Sequence, residues 1–212
     1  MTTLTSDPSA LDLAGGLQVS PETADLLFLD AHTVRTFTDA PVPDAQVRAA
    51  YDLLRWGPTA MNALPLRLLL VRTPAARARL AAHMAEGNRE RVLNAPLTIV
   101  AAADTNFHEH LGTLVPHLPG AREMFAGDAA GRATMARTSA LIQIGYLIVA
   151  LRAVGLGTGP MAGMDAPAID AEVFAQNGWQ TLLVVNVGTP SGPDASHERA
   201  PRLDFAQVAL SA

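Results

Sequence analysis

The sequence has no cysteine, which excludes disulfides, thiolate metal sites and thiol nucleophiles together. Charge is scarce as well: 17% of residues are Asp, Glu, Lys or Arg, against roughly 25% in an ordinary soluble chain. No run of Lys or Arg occurs, and the net charge is −5 from 15 basic and 20 acidic side chains. A nucleic-acid partner is therefore not expected. The most apolar run, Ala140 to Leu151, ends at Arg152 after about a dozen residues, short of the ~18 that a membrane span needs. Met1 to Ser20 lacks the basic start and long apolar run of a secretory signal, so the cytoplasm is the expected location. Ser139 and Ser191 have no G-x-S-x-G context for a nucleophile triad, and no internal repeat is visible.

What is present is apolar. Hydrophobic residues make up 49% of 212. With so little charge and no membrane span, this predicts a large surface buried against a second copy of the chain. No polar linker divides the sequence, so a single domain is expected over 17–212, preceded by a mobile arm over 1–16. Ser20-Pro21-Glu22 reads as a helix start that carries Leu26, Leu27 and Leu29 inward. Val47, Ala50, Tyr51 and Leu54 recur at helical spacing, and a proline-bounded loop follows at Pro58 to Pro65. Leu66 to Thr73, Leu97 to Ala103 and Leu182 to Val187 read as strands buried on both faces. Helices are expected from Pro74 to Met84, from Ala129 to Leu151 and from Asp165 to about Phe174. Asp104 to Gly127 reads as a mostly irregular insertion. Alternating helices and buried strands imply a layered α/β or α+β fold around one sheet.

The organising stretch is the helix from Ala140 to Leu151, which is apolar at nearly every position and so is expected to lie wholly inside. It empties into Gly155-Leu-Gly-Thr-Gly-Pro-Met-Ala-Gly163, read as a loop with few side chains. Its excess of glycine fits either a backbone open to a flat ligand or tight packing. A dinucleotide fingerprint is disfavoured, because a helix stands where that motif needs a strand. His108, Glu109, His110 and His117 suggest either a metal cluster or solvated loop histidines. On a helix, H-x-H rings point about 200° apart, which suits a metal poorly, and no metal site is expected. His32, Thr33 and Arg35 offer a hydroxyl and cations to a phosphate.

Together these motifs recur in an order and spacing that resemble the nitroreductase family. They include Asp30-Ala-His-Thr33, Trp56-Gly-Pro-Thr-Ala-Met-Asn-Ala-Leu-Pro65 with Arg67, and Gly87-Asn88 with Arg91. Further on come Tyr146-Leu-Ile-Val-Ala150, Gly159-Pro-Met-Ala-Gly163 and Pro201-Arg-Leu203. Within the family, the chain looks like the malonic semialdehyde reductase branch. The resemblance implies an α+β three-layer sandwich with a mostly antiparallel central sheet flanked by helices, built into an intertwined homodimer that holds FMN at the subunit interface. It implies that His32, Thr33, Arg35 and Arg202 hold the ribityl phosphate and part of the pyrimidine edge, with Asn88 and Arg91 on the polar edge of the ring. Pro58, Thr59, Asn62 and Leu64 would arrive from the partner chain. Pro160, Met161 and Ala162 would cover one ring face, and the Gly163 amide would point at N5. NADH or NADPH would supply hydride through flavin N5 in a ping-pong reaction. The small acceptor would be an aldehyde of the 3-oxopropanoate type, a nitroaromatic or a quinone. Arg67 is a candidate for the acceptor carboxylate, with a salt bridge as its alternative. A non-catalytic flavin-binding or flavin-free dimer is the other reading. Many members of the family carry an arginine where Ala31 stands, and His32 replaces an arginine of the branch.

Overall fold

A computed structural model describes residues 17–212; the arm expected over 1–16 lies outside the described residues. Ser20 caps α1 (Pro21–Ala24) by accepting the Thr23 amide at 3.3 Å, and the chain continues through a π-helical turn, Asp25–Leu29. Leu26 is not carried inward: it is 50% exposed, because the wider π turn rotates it away from the buried Ala24. Helix α2 (Asp44–Leu54) buries Val47, Ala50 and Leu54 at the predicted spacing. It leaves Tyr51, Leu53 and, just beyond it, Trp56 in solvent.

The sheet has four strands: β1 (Leu66–Val71), β2 (Leu97–Asp104), β3 (Gly157–Met161) and β4 (Trp179–Gly188). They lie in the order β1-β2-β4-β3, and every pairing is antiparallel. β2 is buried along its whole length, as its predominantly apolar run predicts. β1 is not buried on both faces as expected, because it is an edge strand with Leu70 exposed. β3 was not expected at all: the stretch read as a glycine loop is the opposite edge strand, where Pro160 is tolerated.

Between β1 and β2 run α3 (Pro74–Ala82), capped by Thr73, and α4 (Glu86–Asn94). The segment after β2 is not irregular: a 3-10 turn (Phe107–His110), α5 (Leu111–Leu114) and α6 (Ala121–Ala126) pack Phe107, Leu111, Val115 and Ala121 against the next helix. Arg132 caps α6 by donating to the Phe125 and Ala126 carbonyls at 2.6 and 2.9 Å. His108 is buried, His110 and His117 are exposed, and among the described residues no group could hold a metal ion. α8 (Ala166–Ile169), capped by Asp165, leads into another π turn, and α9 (Phe205–Val208) lies near the C-terminus.

The long helix α7 (Ala129–Ala153) is the spine of one face. By length and composition it could cross a membrane, yet its stripe Ala136, Ala140, Gln143, Ile144, Leu147 and Leu151 lies against protein. Gln143 accepts the Leu66 amide at 3.0 Å and so pins the start of β1 to the helix. The helix is not enclosed on all sides as expected: Leu141, Ile142 and Tyr146 are each more than 40% exposed within one chain. On its buried side, α2 and α7 meet Leu97, Ile99, Val185 and Val187 of the sheet. On the other sheet face, Leu80, Met84 and Val92 of the α3–α4 region meet Val100, Met161 and Val184. Helix, sheet and helix make three layers.

Candidate functional site

The glycines expected to face a ligand are mostly explained by the fold. Gly155, at φ +82°, ends α7: its amide donates to Arg152 and the Leu156 amide to Leu151, the paired bonds of a Schellman stop. Gly157 and Gly159 make room for the segment that crosses β3, where the Val34 amide donates to the Thr158 carbonyl at 2.9 Å. A Cβ on Gly159 would lie 2.4 Å from the Val34 carbonyl oxygen, and one on Gly157 would lie 2.8 Å from a Val34 methyl. Tight packing is therefore the reason for these two. Gly163 differs: it is exposed just past the end of β3, its carbonyl accepts from Asn88 Nδ2 at 3.1 Å, and a Cβ there would meet that nitrogen at 2.8 Å.

The chain from Ala31 to Phe37 runs between two cavities. The larger, about 570 Å³, lies among this segment, α4 and the loop from Ser191 to His197. Its volume falls within the roughly 300–1,000 Å³ of small-molecule and cofactor sites. Arg35 and Arg91 both line it, with Glu90 and Asp194 as its carboxylates. Among the described residues neither arginine takes part in an ion pair. Burial, and then the charge of Arg35, lower the Arg91 pKa, and Arg35 Nε is buried without a hydrogen-bond partner. Two cations that repel one another across a cavity favour an occupant with anionic or acceptor character. α4 supplies Arg91 to this cavity; Asn88, one turn earlier, does not line it and holds the Gly163 carbonyl past the end of β3.

The smaller cavity, about 240 Å³, holds His32, Val34, Arg152 and Thr158. Side chains alternate along an extended chain. His32 is therefore separated from Arg35, and the structure does not bring them to one phosphate as expected. Among the described residues they are linked through His197: its carbonyl contacts His32 Nδ1 at 3.1 Å, and its ring receives the Arg35 guanidinium. Thr33 is exposed on the crossing segment. Arg202 does not reach the cavity; its exposed guanidinium folds back on the Ala200 and Pro201 carbonyls at 2.7 and 3.2 Å. Arg199 instead reaches inward to the carbonyls of Leu29 and Ala31 and lies 3.5 Å from His32 Nε2. Sequence reasoning missed Arg199 and His197, since no local pattern marks either of them.

Arg67 is not free for an acceptor carboxylate. It pairs with the buried Asp104 at 2.7 Å and donates to the Leu64 and Leu66 carbonyls, so the salt-bridge alternative holds. Met161 does not offer its side chain to a ligand: it is 5% exposed and packs in the core opposite Val184. Pro160 is half-buried, and Ala162 and Gly163 are exposed. Pro58, Thr59, Asn62 and Leu64 do not line the large cavity of their own chain. Their loop is held in a tight form: Met61, Asn62 and Leu64 all have positive φ, Thr59 Oγ1 accepts the Leu64 amide at 3.2 Å, and Asn62 donates to Leu114. Three non-glycine residues in the left-handed region cost on the order of 1 kcal/mol each, which the surrounding contacts of the loop must offset.

The fold is a helix-flanked antiparallel sheet whose cofactor-sized cleft carries two arginines outside any ion pair. Comparison with known proteins gives the family: the Nitroreductase family model matches residues 29–189. A Streptomyces coelicolor protein named as an NADH dehydrogenase/NAD(P)H nitroreductase is 49% identical over 91% of this chain and 97% of its own length. A protein of the same name from Leptothrix cholodnii is 44% identical over 84% of this chain and 90% of its own. Among solved structures, a nitroreductase from Exiguobacterium sibiricum in complex with FMN superposes with a TM-score of 0.76 at 16% identity, covering 93% of this chain and all of that one. An NAD(P)H:FMN oxidoreductase from Staphylococcus epidermidis gives 0.77 at 13% identity, covering 92% and 98%. The chain belongs to the nitroreductase family.

Proposed function

We propose that this protein is an FMN-dependent NAD(P)H oxidoreductase that passes hydride to a small electron-poor acceptor. The observation that carries this reading is the pair of arginines, Arg35 and Arg91, that line one cavity and, among the described residues, form no ion pair there. These residues fit FMN: two guanidiniums and the orphaned Arg35 Nε match the acceptor-rich edge of an isoalloxazine ring and its phosphate chain. Arg35, Arg91 and Asn88 would hold that edge, Thr33 the phosphate chain, and Ala162 and Gly163 would lie beside the ring. When bound, FMN supplies two-electron hydride chemistry at N5. The chain supplies binding, orientation and charge. Positive charge from Arg91 and Arg35 would favour the cofactor in its reduced, more anionic form.

The homodimer is part of the proposal. Leu141, Ile142 and Tyr146 on α7 and Trp56 after α2 form an apolar surface on one side of the chain. The strained loop from Pro58 to Leu64 stands free of its own cavity and would reach that of the partner. Nicotinamide and acceptor using the same cleft in turn would make the kinetics ping-pong. In the acceptor, we favour a small aldehyde acid of the 3-oxopropanoate type, carried by the likeness to the malonic semialdehyde reductase branch, with nitroaromatics and quinones as the wider class. Since Arg67 is engaged by Asp104, an acceptor carboxylate would be met by another cation.

Anaerobic reduction tests the reading. Protein loaded with FMN should bleach with NADH or NADPH and recover its yellow colour on addition of the acceptor. Flavin that stays oxidised with both nicotinamides would contradict an oxidoreductase role.

A further inference from the structure

Beneath α4 the sheet face carries a buried polar pair among apolar side chains. Thr98 of β2 and Asn186 of β4 are register partners, 0% and 1% exposed, between Val100, Val184 and Met161. Thr98 Oγ1 donates to Asn186 Oδ1 at 2.7 Å, and Asn186 Nδ2 donates to the carbonyl of Arg91 at 2.9 Å. A hydroxyl and an amide buried in such a sheet lose water, and the pair gains little over two valines for stability alone. What the pair adds is direction. Arg91 is the first of the last four residues of α4, whose carbonyls have no partner within the helix, and Asn186 supplies that partner from the sheet.

The other end of the helix is tied to the end of β3, where the Ala85 amide and Asn88 Nδ2 both donate to the Gly163 carbonyl. Asn186 also pairs in register with Gly159 of β3. The helix is thus held at two points on the same part of the sheet, with the Arg91 side chain emerging at the second. We propose that Asn186 is a positioning residue: through the Arg91 carbonyl it fixes where the Arg91 guanidinium stands in the cleft, and so sets the affinity and reduction potential of the bound flavin. This rests on the proposed function above.

A double-mutant cycle on Asn186 and Arg91 tests it, with two readouts: the FMN dissociation constant from quenching of flavin fluorescence, and the midpoint potential of the bound flavin. N186L should weaken FMN binding about tenfold, the scale of one buried hydrogen bond, and move the potential in the same direction as R91A. In the R91A background N186L should change neither quantity further. T98V leaves the bond to Arg91 in place and should lower the melting temperature with no change in potential. Should N186L act equally with and without Arg91, or lower only the melting temperature, the inference is overturned. N186T, which suits a strand but is too short to reach the helix, repeats the cycle where N186L does not fold. Failure of both to fold assigns the pair to the core alone and also overturns it. A wild-type protein that leaves FMN fluorescence unquenched removes the proposed function together with this inference; a wild type that binds, with R91A altered and N186L not, removes the inference only.

Discussion

Asn88 and Gly163 join α4 to the end of β3: the Asn88 amide donates to the Gly163 carbonyl at 3.1 Å, and a methyl on Gly163 would stand 2.8 Å from that donor. G163A therefore forces Asn88 to release the carbonyl, since a side-chain end moves more easily than backbone. The expected loss is about 1 kcal/mol of stability, the value of one hydrogen bond, with a larger proportional loss of FMN affinity. Denaturant melts beside a flavin titration separate the two.

R35A and R91A should have opposite effects on the empty and the loaded protein. Without ligand the two guanidiniums repel, so removing either leaves the melting temperature unchanged or raises it. With FMN present, each variant should bind about tenfold to a hundredfold more weakly, since each loses a charge-assisted contact of roughly 1.5–3 kcal/mol. Thermal melts with and without FMN check this; a fall in both states would place the arginines in the fold and not in the cleft.

Gly159 and Gly155 are both glycines for structural reasons, but the reasons differ in size. A Cβ on Gly159 meets the backbone oxygen of Val34 at 2.4 Å, and neither chain can retreat without breaking the crossing at Thr158. G159A should cost about 2–4 kcal/mol and shift the Arg35 segment, whereas G155A should cost about 1 kcal/mol for a left-handed residue in open space. Urea unfolding of the two variants measures the difference.

The Glu109 carboxyl lies below the ordinary carboxylate range, chiefly because Arg122 donates to both of its oxygens, at 2.7 and 3.0 Å. A pKa depressed by folding contributes stability that is complete above the unfolded value. That contribution is lost as pH falls through the folded one. R122A should raise the Glu109 titration toward its ordinary range and remove that acid-side dependence. Carbon-detected NMR titration of the carboxyl is the check.

Three of the four strands and the long helix were legible because apolar residues dominate them: Leu, Ile, Val and Ala runs, interrupted at Thr98 and at Asn186, identify β2 and β4 directly. β3 was hidden, because Gly-Thr-Gly-Pro-Met carries no strand pattern. Its small residues answer to Val34, far away in sequence. α4 was hidden for the opposite reason, since Val92 is its single buried residue and leaves no period to read. Arg35, Asn88 and Arg91 could be named from the family likeness, and the structure places Arg35 and Arg91 on one cavity. The split between His32 and Arg35 could not be seen, nor could Arg199 replacing Arg202 as the inward-facing arginine. Both depend on how the chain near Ala31 meets the loop near His197, more than 160 residues later.

The most direct measurement of the central claim is a titration of FMN with purified protein, wild type against the R35A/R91A double variant, followed by flavin fluorescence. If the cleft between these arginines is the cofactor site, the wild type quenches FMN to a saturable end point and the double variant leaves it bright over the same range. Equal quenching by both proteins, or none by either, would contradict it.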